Sequence, residues 1–199
     1  MVFRKTNTFA IFARMVKDYE NKTILDFGGN RGNLIASSEG KIKPENYTSL
    51  DISKESLELC EQENPGVKTI HWNRHHQNYN PEGEIIEFPD IDEYDIAFAN
   101  SVFTHMSIDE ALYYINCLKK KCKVVAFTYI DPANEEFLLR FQEKYYELEF
   151  KEGKVSYTKD CKGIFWSAFD TEYLKAQIPG KIKVGKTAWF NYLILEDAK

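Results

Sequence analysis

The segment Ile24-Leu25-Asp26-Phe27-Gly28-Gly29-Asn30-Arg31-Gly32-Asn33-Leu34 joins a short apolar run to the start of a helical pattern. Small residues at a strand-to-helix junction let the backbone approach a ligand closely, and a helix N-terminus offers free N–H groups to an anion. Asp51 closes the next apolar run, about 20 residues on, where a carboxylate reaches the two hydroxyls of an adenosine ribose. The dinucleotide pattern G-x-G-x-x-G does not fit. Counted from Gly28 its positions fall on Gly28, Asn30 and Asn33; counted from Gly29 they fall on Gly29, Arg31 and Leu34. Each feature alone has a plain alternative: the bend as a tight turn, Asp51 as a helix cap.

Two further clusters could do chemistry. The apolar run 94–100 leads into Asn100-Ser101-Val102-Phe103-Thr104-His105-Met106. Strand C-termini line the ligand crevice of open α/β sheets, so this segment belongs beside the reacting atoms. His105 is suited to accept a proton there, because imidazole titrates near neutrality; its alternative role is to order the loop through a backbone hydrogen bond. The second cluster is His71-Trp72-Asn73-Arg74-His75-His76-Gln77-Asn78-Tyr79-Asn80-Pro81. A loop this rich in imidazole and aromatic groups at the same rim suggests pocket lining, with Asn73 or its neighbours on the adenine edge and His75, His76 or Tyr79 on the substrate. A plain connecting loop is the other reading. Neighbouring His75 and His76 do not easily point the same way, so no metal site is expected.

The bend resembles the first motif of the class I S-adenosylmethionine-dependent methyltransferases, an acid followed by x-G-x-G-x-G. Asp26, Gly28 and Gly32 match, and Asn30 stands where the family has its middle glycine. Asn is the non-glycine residue that best tolerates a left-handed backbone. The resemblance extends over roughly residues 20–196 through the strand order, Asp51, the strand and loop from Asp95 to His105, and a terminal hairpin. It implies that Asp26 helps hold the cofactor's amino group, the glycine turn its methionyl part and Asp51 its ribose. The expected cofactor set is thus Asp26, Gly28, Gly29, Asn30, Gly32, Asp51, Ile52, Asn73, Asn100 and Ser101. The expected catalytic set is His105, His75 and Tyr79.

Alternating strand and helix patterns position these residues, the mark of a parallel sheet with crossover helices. Strands are expected at 23–27, 47–51, 67–72, 94–100 and 123–129, and helices at 7–20, 53–63, 107–120, 134–150 and 170–178. The segment 94–100 is nearly all apolar, as a central strand should be. Ser107 with Glu110 forms a capping-box pattern. Residues 181–196 alternate as a hairpin. The fold expected is α/β, a doubly wound, Rossmann-like, mostly parallel seven-stranded sheet with an antiparallel C-terminal strand. One domain spans 1–199, with an N-terminal helix in 1–20 and an insertion at 131–169 that covers substrate. Phe137, Phe141, Tyr145, Tyr146, Tyr157, Phe165 and Trp166 are candidates for an aromatic lid in that insertion, with helix-face packing as the alternative for Phe137 and Phe141.

Composition narrows the function classes. With 199 residues, 43% hydrophobic and 29% charged, the chain suits one globular domain. Its net charge of −5 disfavours a nucleic-acid surface, and the one dense basic run, Lys119, Lys120, Lys121 and Lys123, falls where a helix end favours cations. No apolar run approaches membrane-spanning length. Cys60, Cys117, Cys122 and Cys161 form no CxxC pair, which fits reduced thiols in the cytoplasm. No Pro-Pro-Tyr follows Asn100, unlike the amino-methylating DNA enzymes of the N6-adenine type. The expectation is metal-free methyl transfer to an O or N of a small molecule by a monomer or homodimer. The alternatives are a protein, peptide or RNA acceptor, and a module that binds the cofactor without chemistry.

Overall fold

The computed structural model describes residues 7–76, 78–134, 148–151, 154–158, 165–187 and 190–196. Helix α1 (Thr8–Met15) precedes β1 (Ile24–Phe27), α2 (Asn33–Ser37), β2 (Tyr47–Asp51), α3 (Lys54–Glu63) and β3 (Lys68–His71). Then come β4 (Tyr94–Ala99), α4 (Ile108–Lys121), β5 (Cys122–Tyr129) and the short strands β6 (Leu148–Lys151), β7 (Val155–Thr158) and β8 (Ser167–Phe169). Helix α5 (Thr171–Gln177) leads into the hairpin β9 (Lys181–Lys186) and β10 (Asn191–Glu196).

Seven strands form one sheet in the order β3-β2-β1-β4-β5-β10-β9. β1 to β5 pair in parallel, and β10 runs antiparallel to both of its neighbours. This is the expected doubly wound sheet. Its middle is made by the most apolar segments: all four residues of β1 are buried, and only Asp95 of β4 is not. Burial on both faces is what a central parallel strand requires. The strand order reverses between β1 and β4, so the crevice falls at the C-terminal ends of β1, β2 and β4.

The local signals hold where their side chains are seen. Ser53 caps α3 by accepting from Ser56 N–H, and Ser107 and Glu110 make the full capping box on α4. Three of the four lysines of the basic run bond within the chain. Lys119 donates to the Pro179 carbonyl at 2.6 Å, Lys121 to Asp90 at 2.8 Å and Lys123 to Asp95 at 2.7 Å.

Two expectations are corrected. The first helix stops at Met15 instead of running to residue 20: Val16 is extended, and Tyr19 turns back so that its ring lies 5.5 Å from Phe9 and 5.4 Å from Phe12. The apolar stripe of α1 is buried in the chain's own core, with Phe12 edge-on to Phe98 of β4 at 5.2 Å. The segment 134–150 does not end as helix. Residues 148–151 pair antiparallel with β7, which pairs with β8; strand pairing overrides a composition that suits a helix. Positions 135–147, with Phe137, Phe141, Tyr145 and Tyr146, lie outside the described residues.

The three-stranded sheet is fastened beside the crevice. Ser167 Oγ donates to the Phe103 carbonyl at 3.0 Å, Ile108 N–H to the Tyr157 hydroxyl at 3.2 Å, and Phe169 N–H to the Ile130 carbonyl at 2.8 Å. No helix among the described residues is long and apolar enough to cross a membrane.

Because Phe12 is fully buried between α1 and the sheet, Phe12→Ala is expected to lower the unfolding free energy by about 3–5 kcal/mol. Urea denaturation measures it. A loss under about 1 kcal/mol would contradict the packing of α1 on β4.

Candidate active site

A cleft of about 560 Å³ opens at the C-terminal ends of β1, β2 and β4, within the range of small-ligand sites. One wall is the bend after β1. Gly28, Asn30 and Gly32 all have positive φ, at 74°, 50° and 75°. Asn30 thus takes the left-handed conformation its side chain tolerates. A Cβ on Gly28 would lie 2.5 Å from Val102 Cγ2, so only glycine lets the bend meet the segment after β4.

Asp51 holds this wall in place. Its Oδ2 accepts from Asn30 N–H at 2.8 Å and its Oδ1 from Ser53 N–H at 2.9 Å. Burial pushes the carboxyl above the ordinary carboxylate range, opposed by these N–H bonds and by the nearby His71. Each oxygen keeps a second lone pair, and Asp51 lines the cleft together with Ile52, Ser53 and Ser56.

The opposite wall follows β4. Ser101 has a φ of 59°, and its N–H donates to Thr128 Oγ at 2.7 Å, which in turn donates to Asn100 Oδ1 at 3.2 Å. Beyond them the His105 ring is fixed. Its Nδ1 lies 2.8 Å from the Phe165 carbonyl, which can only accept, so Nδ1 carries the hydrogen and Nε2 keeps its lone pair. Burial pushes the His105 pKa down to about 4.

The loop after β3 forms the roof. His76 Nε2 donates to the His105 carbonyl at 3.3 Å, while its Nδ1 accepts from Asn78 and Tyr79 N–H at 3.2 and 3.3 Å. Burial lowers the His76 pKa as well. The Tyr79 ring lies 4.8 Å from His76 and 5.5 Å from His105, and Trp166 lies 4.3 Å from His105.

Of the residues expected from sequence, Gly28, Asn30, Asp51, Ile52, Asn100, Ser101, Tyr79 and His105 line the cleft. Asp26, Gly29, Gly32, Asn73 and His75 do not. Asn73 and His75 are spent on the loop itself: the Asn73 amide bonds Glu84 and Asn80 at 3.1 and 3.2 Å, and His75 Nδ1 faces the Pro81 carbonyl at 3.1 Å. Asp26 lies beneath the bend, where a Cβ on Gly29 would come within 3.1 Å of its carboxyl carbon. There it accepts from the Tyr47 hydroxyl at 2.6 Å, and burial pushes its pKa up to about 7.

Sequence reasoning placed Arg74 in the loop read as pocket lining without a role of its own, and it lines the cleft. Its guanidinium pairs with Glu110 and stacks 5.6 Å from the Trp72 ring and 5.2 Å from Tyr114. The aromatic Trp72 was a local signal; the Glu110 partner, 36 residues away, was not. Among the described residues no group of three His, Cys, Asp or Glu side chains is placed to hold a metal ion.

No family model matches the chain, and no curated protein matches it. Solved structures do. An S-adenosylmethionine-dependent methyltransferase from Clostridium acetobutylicum ATCC 824 is 14% identical over 98% of this chain and 92% of its own, with a TM-score of 0.58. An amino pentose methyltransferase from Micromonospora echinaspora, involved in calicheamicin biosynthesis and solved with S-adenosylmethionine bound, is 14% identical over 96% and 91%, with a TM-score of 0.61. Magnesium protoporphyrin IX methyltransferase from Synechocystis PCC 6803, with S-adenosylhomocysteine bound, is 11% identical over 95% and 78%, with a TM-score of 0.53. The chain has the fold of the S-adenosylmethionine-dependent methyltransferases.

Asp26 gives a test of the floor of this site. The folded chain holds the Asp26 proton more tightly than the unfolded chain does, so stability falls as pH rises from about 4 through about 7 and then levels off. The full span is on the order of 4 kcal/mol. Asp26→Asn, which keeps an acceptor for Tyr47, is expected to unfold at a higher temperature than the parent at pH 8, with the gap closing toward pH 5. Parallel pH slopes for the two proteins would contradict the burial of this carboxyl.

Proposed function

We propose that the chain is a class I methyltransferase that uses S-adenosylmethionine to methylate an O or N atom of a small molecule. The observation that carries this reading is the Asp51 carboxylate bonded to the Asn30 N–H across the cleft floor. It puts a pair of carboxylate acceptors against a bend that leaves no room for a side chain at Gly28, the chemistry that fits an adenosine ribose and the methionyl chain beside it. Gly28, Asn30, Asp51, Ile52, Asn100 and Ser101 are the residues to hold the cofactor. Asp26 acts from below by setting the charge under the bend.

When bound, the cofactor supplies a methyl group on a cationic sulfur, already reactive toward nucleophiles. The protein's part is then alignment and exclusion of water. His105 Nε2 is the group to receive a proton from an attacking hydroxyl. Its low pKa keeps it neutral at pH 7, and a methylated oxonium is far more acidic than an imidazolium, so the proton still moves downhill. Tyr79 and Trp166 pack against this ring, and the Phe165 carbonyl just ahead of β8 fixes its orientation.

The acceptor end is made of rings and neutral groups, which suits a small molecule better than an open charged groove. The amino pentose and porphyrin methyltransferases that share the fold agree with that choice. Cys60 and Cys117 are reduced thiols, in keeping with the cytoplasmic location proposed for the chain.

Titration calorimetry with S-adenosylmethionine and S-adenosylhomocysteine tests the reading. Both are expected to bind at one site, and Asp51→Ala is expected to weaken both about 100-fold by removing two charge-assisted hydrogen bonds. No heat with either molecule would overturn the proposal. Binding without methyl release across a broad metabolite panel would favour a non-catalytic module.

A further inference from the structure

Tyr79 lines the cleft and keeps 49% of its surface exposed. Of the five large apolar side chains exposed among the described residues, it is the one that lines this cleft. The ring is nevertheless held. Its backbone N–H donates to His76 Nδ1 at 3.3 Å, the His76 ring packs against it at 4.8 Å with a tilt of 34°, and His105 meets it at 5.5 Å and 75°. Trp166 packs on His105 in turn, at 4.3 Å. Four rings from three segments thus stand in a row: the roof loop, the turn after β4 and the chain ahead of β8. A ligand that covers Tyr79 gains apolar burial without first having to order the side chain.

The place of this ring decides what covers it. Asp51, Ile52 and Ser53 form the wall proposed for the cofactor's ribose, whereas Tyr79 packs with His105. Val102 and Met106, at the two ends of the turn that carries His105, line the cleft as well. A ring laid on Tyr79 therefore has apolar neighbours and brings its substituent toward the His105 imidazole. Aromatic pairs settle offset-stacked or edge-to-face and gain more than plain burial gives. A saturated ring of the same skeleton is puckered, has no π-face and covers Tyr79 by area alone.

Building on the function proposed above, we infer that Tyr79 is the platform of the acceptor subsite and that the methyl acceptor is an aromatic compound, its ring laid on Tyr79 and the O or N to be methylated directed at His105. The flat ring extends the row of rings already present.

Two probes of one carbon skeleton test this: 2-naphthol, which is flat and aromatic, and decahydro-2-naphthol, which is puckered and more apolar, so that burial alone would favour it. Ligand-observed NMR titration of the full chain gives both dissociation constants, with and without saturating S-adenosylhomocysteine. 2-Naphthol is expected to bind about threefold to tenfold more tightly, the gain of one aromatic pair, to show Overhauser contacts to the Tyr79 ring protons, and to stay bound when S-adenosylhomocysteine is added. Tyr79→Leu is expected to bring the two constants level at an unchanged melting temperature, and Tyr79→Phe to keep the preference. Equal or tighter binding of the saturated probe would overturn the inference. So would missing contacts to Tyr79, a preference that survives in Tyr79→Leu, or displacement of 2-naphthol by S-adenosylhomocysteine, which would give Tyr79 to the cofactor. Failure of S-adenosylhomocysteine to bind the parent would instead strike the methyltransferase reading, and the comparison of the two probes would still decide whether Tyr79 is an aromatic platform.

Discussion

The Asp51 carboxylate ties the bend after β1 to the start of α3, at the end of the strand that lies between β1 and β3. One oxygen holds the Asn30 N–H of the bend after β1, and the other holds the Ser53 N–H at the start of α3. The backbone carbonyl of the same residue receives Trp72 N–H from the end of β3. Three strand ends are thereby fixed at one point, and the cleft takes its floor from them. Buried charge is costly unless it is hydrogen-bonded, and here the cost is met by amides that also shape the site. The positive φ values of Gly28, Asn30 and Gly32 make the same geometry from the other side.

A second layer of order comes from histidines that stay neutral. His76 and His105 use one ring nitrogen each to join separate segments, the roof loop to the turn after β4 and that turn to the small sheet. Neutral imidazole can donate from one nitrogen and accept at the other. That property lets His76 satisfy three backbone groups at once and leaves a lone pair on His105 toward the cleft. Burial keeps both rings in this state. The polar groups at this end of the cleft are therefore held by directional bonds.

Much of this could be read from sequence where the signal is local. The apolar runs 23–27 and 94–100 announced central strands because both of their faces are buried. Ser53 and Ser107 announced helix starts because capping depends on neighbours three residues apart. Asn30 was readable as a left-handed residue for the same reason. What escaped was set at a distance. Arg74 gains its role from Glu110, and His105 gets its tautomer from Phe165, 60 residues on. Asn73 and Asp26 were readable as polar residues near the motif. Their partners Glu84 and Tyr47, which decide that they stay out of the cleft wall, were not. Residues 148–151 look helical by composition and become a strand only because β7 is there to pair with them.

A crystal structure of the chain with S-adenosylhomocysteine decides whether Asp51 and the bend enclose one adenosyl group. The ribose hydroxyls are expected within hydrogen-bonding distance of both Asp51 oxygens, with Asn30 N–H still bound to Oδ2 and the sulfur on the side of Asn100 and His105. A ligand seated elsewhere, or a ribose without contact to Asp51, would rule that enclosure out.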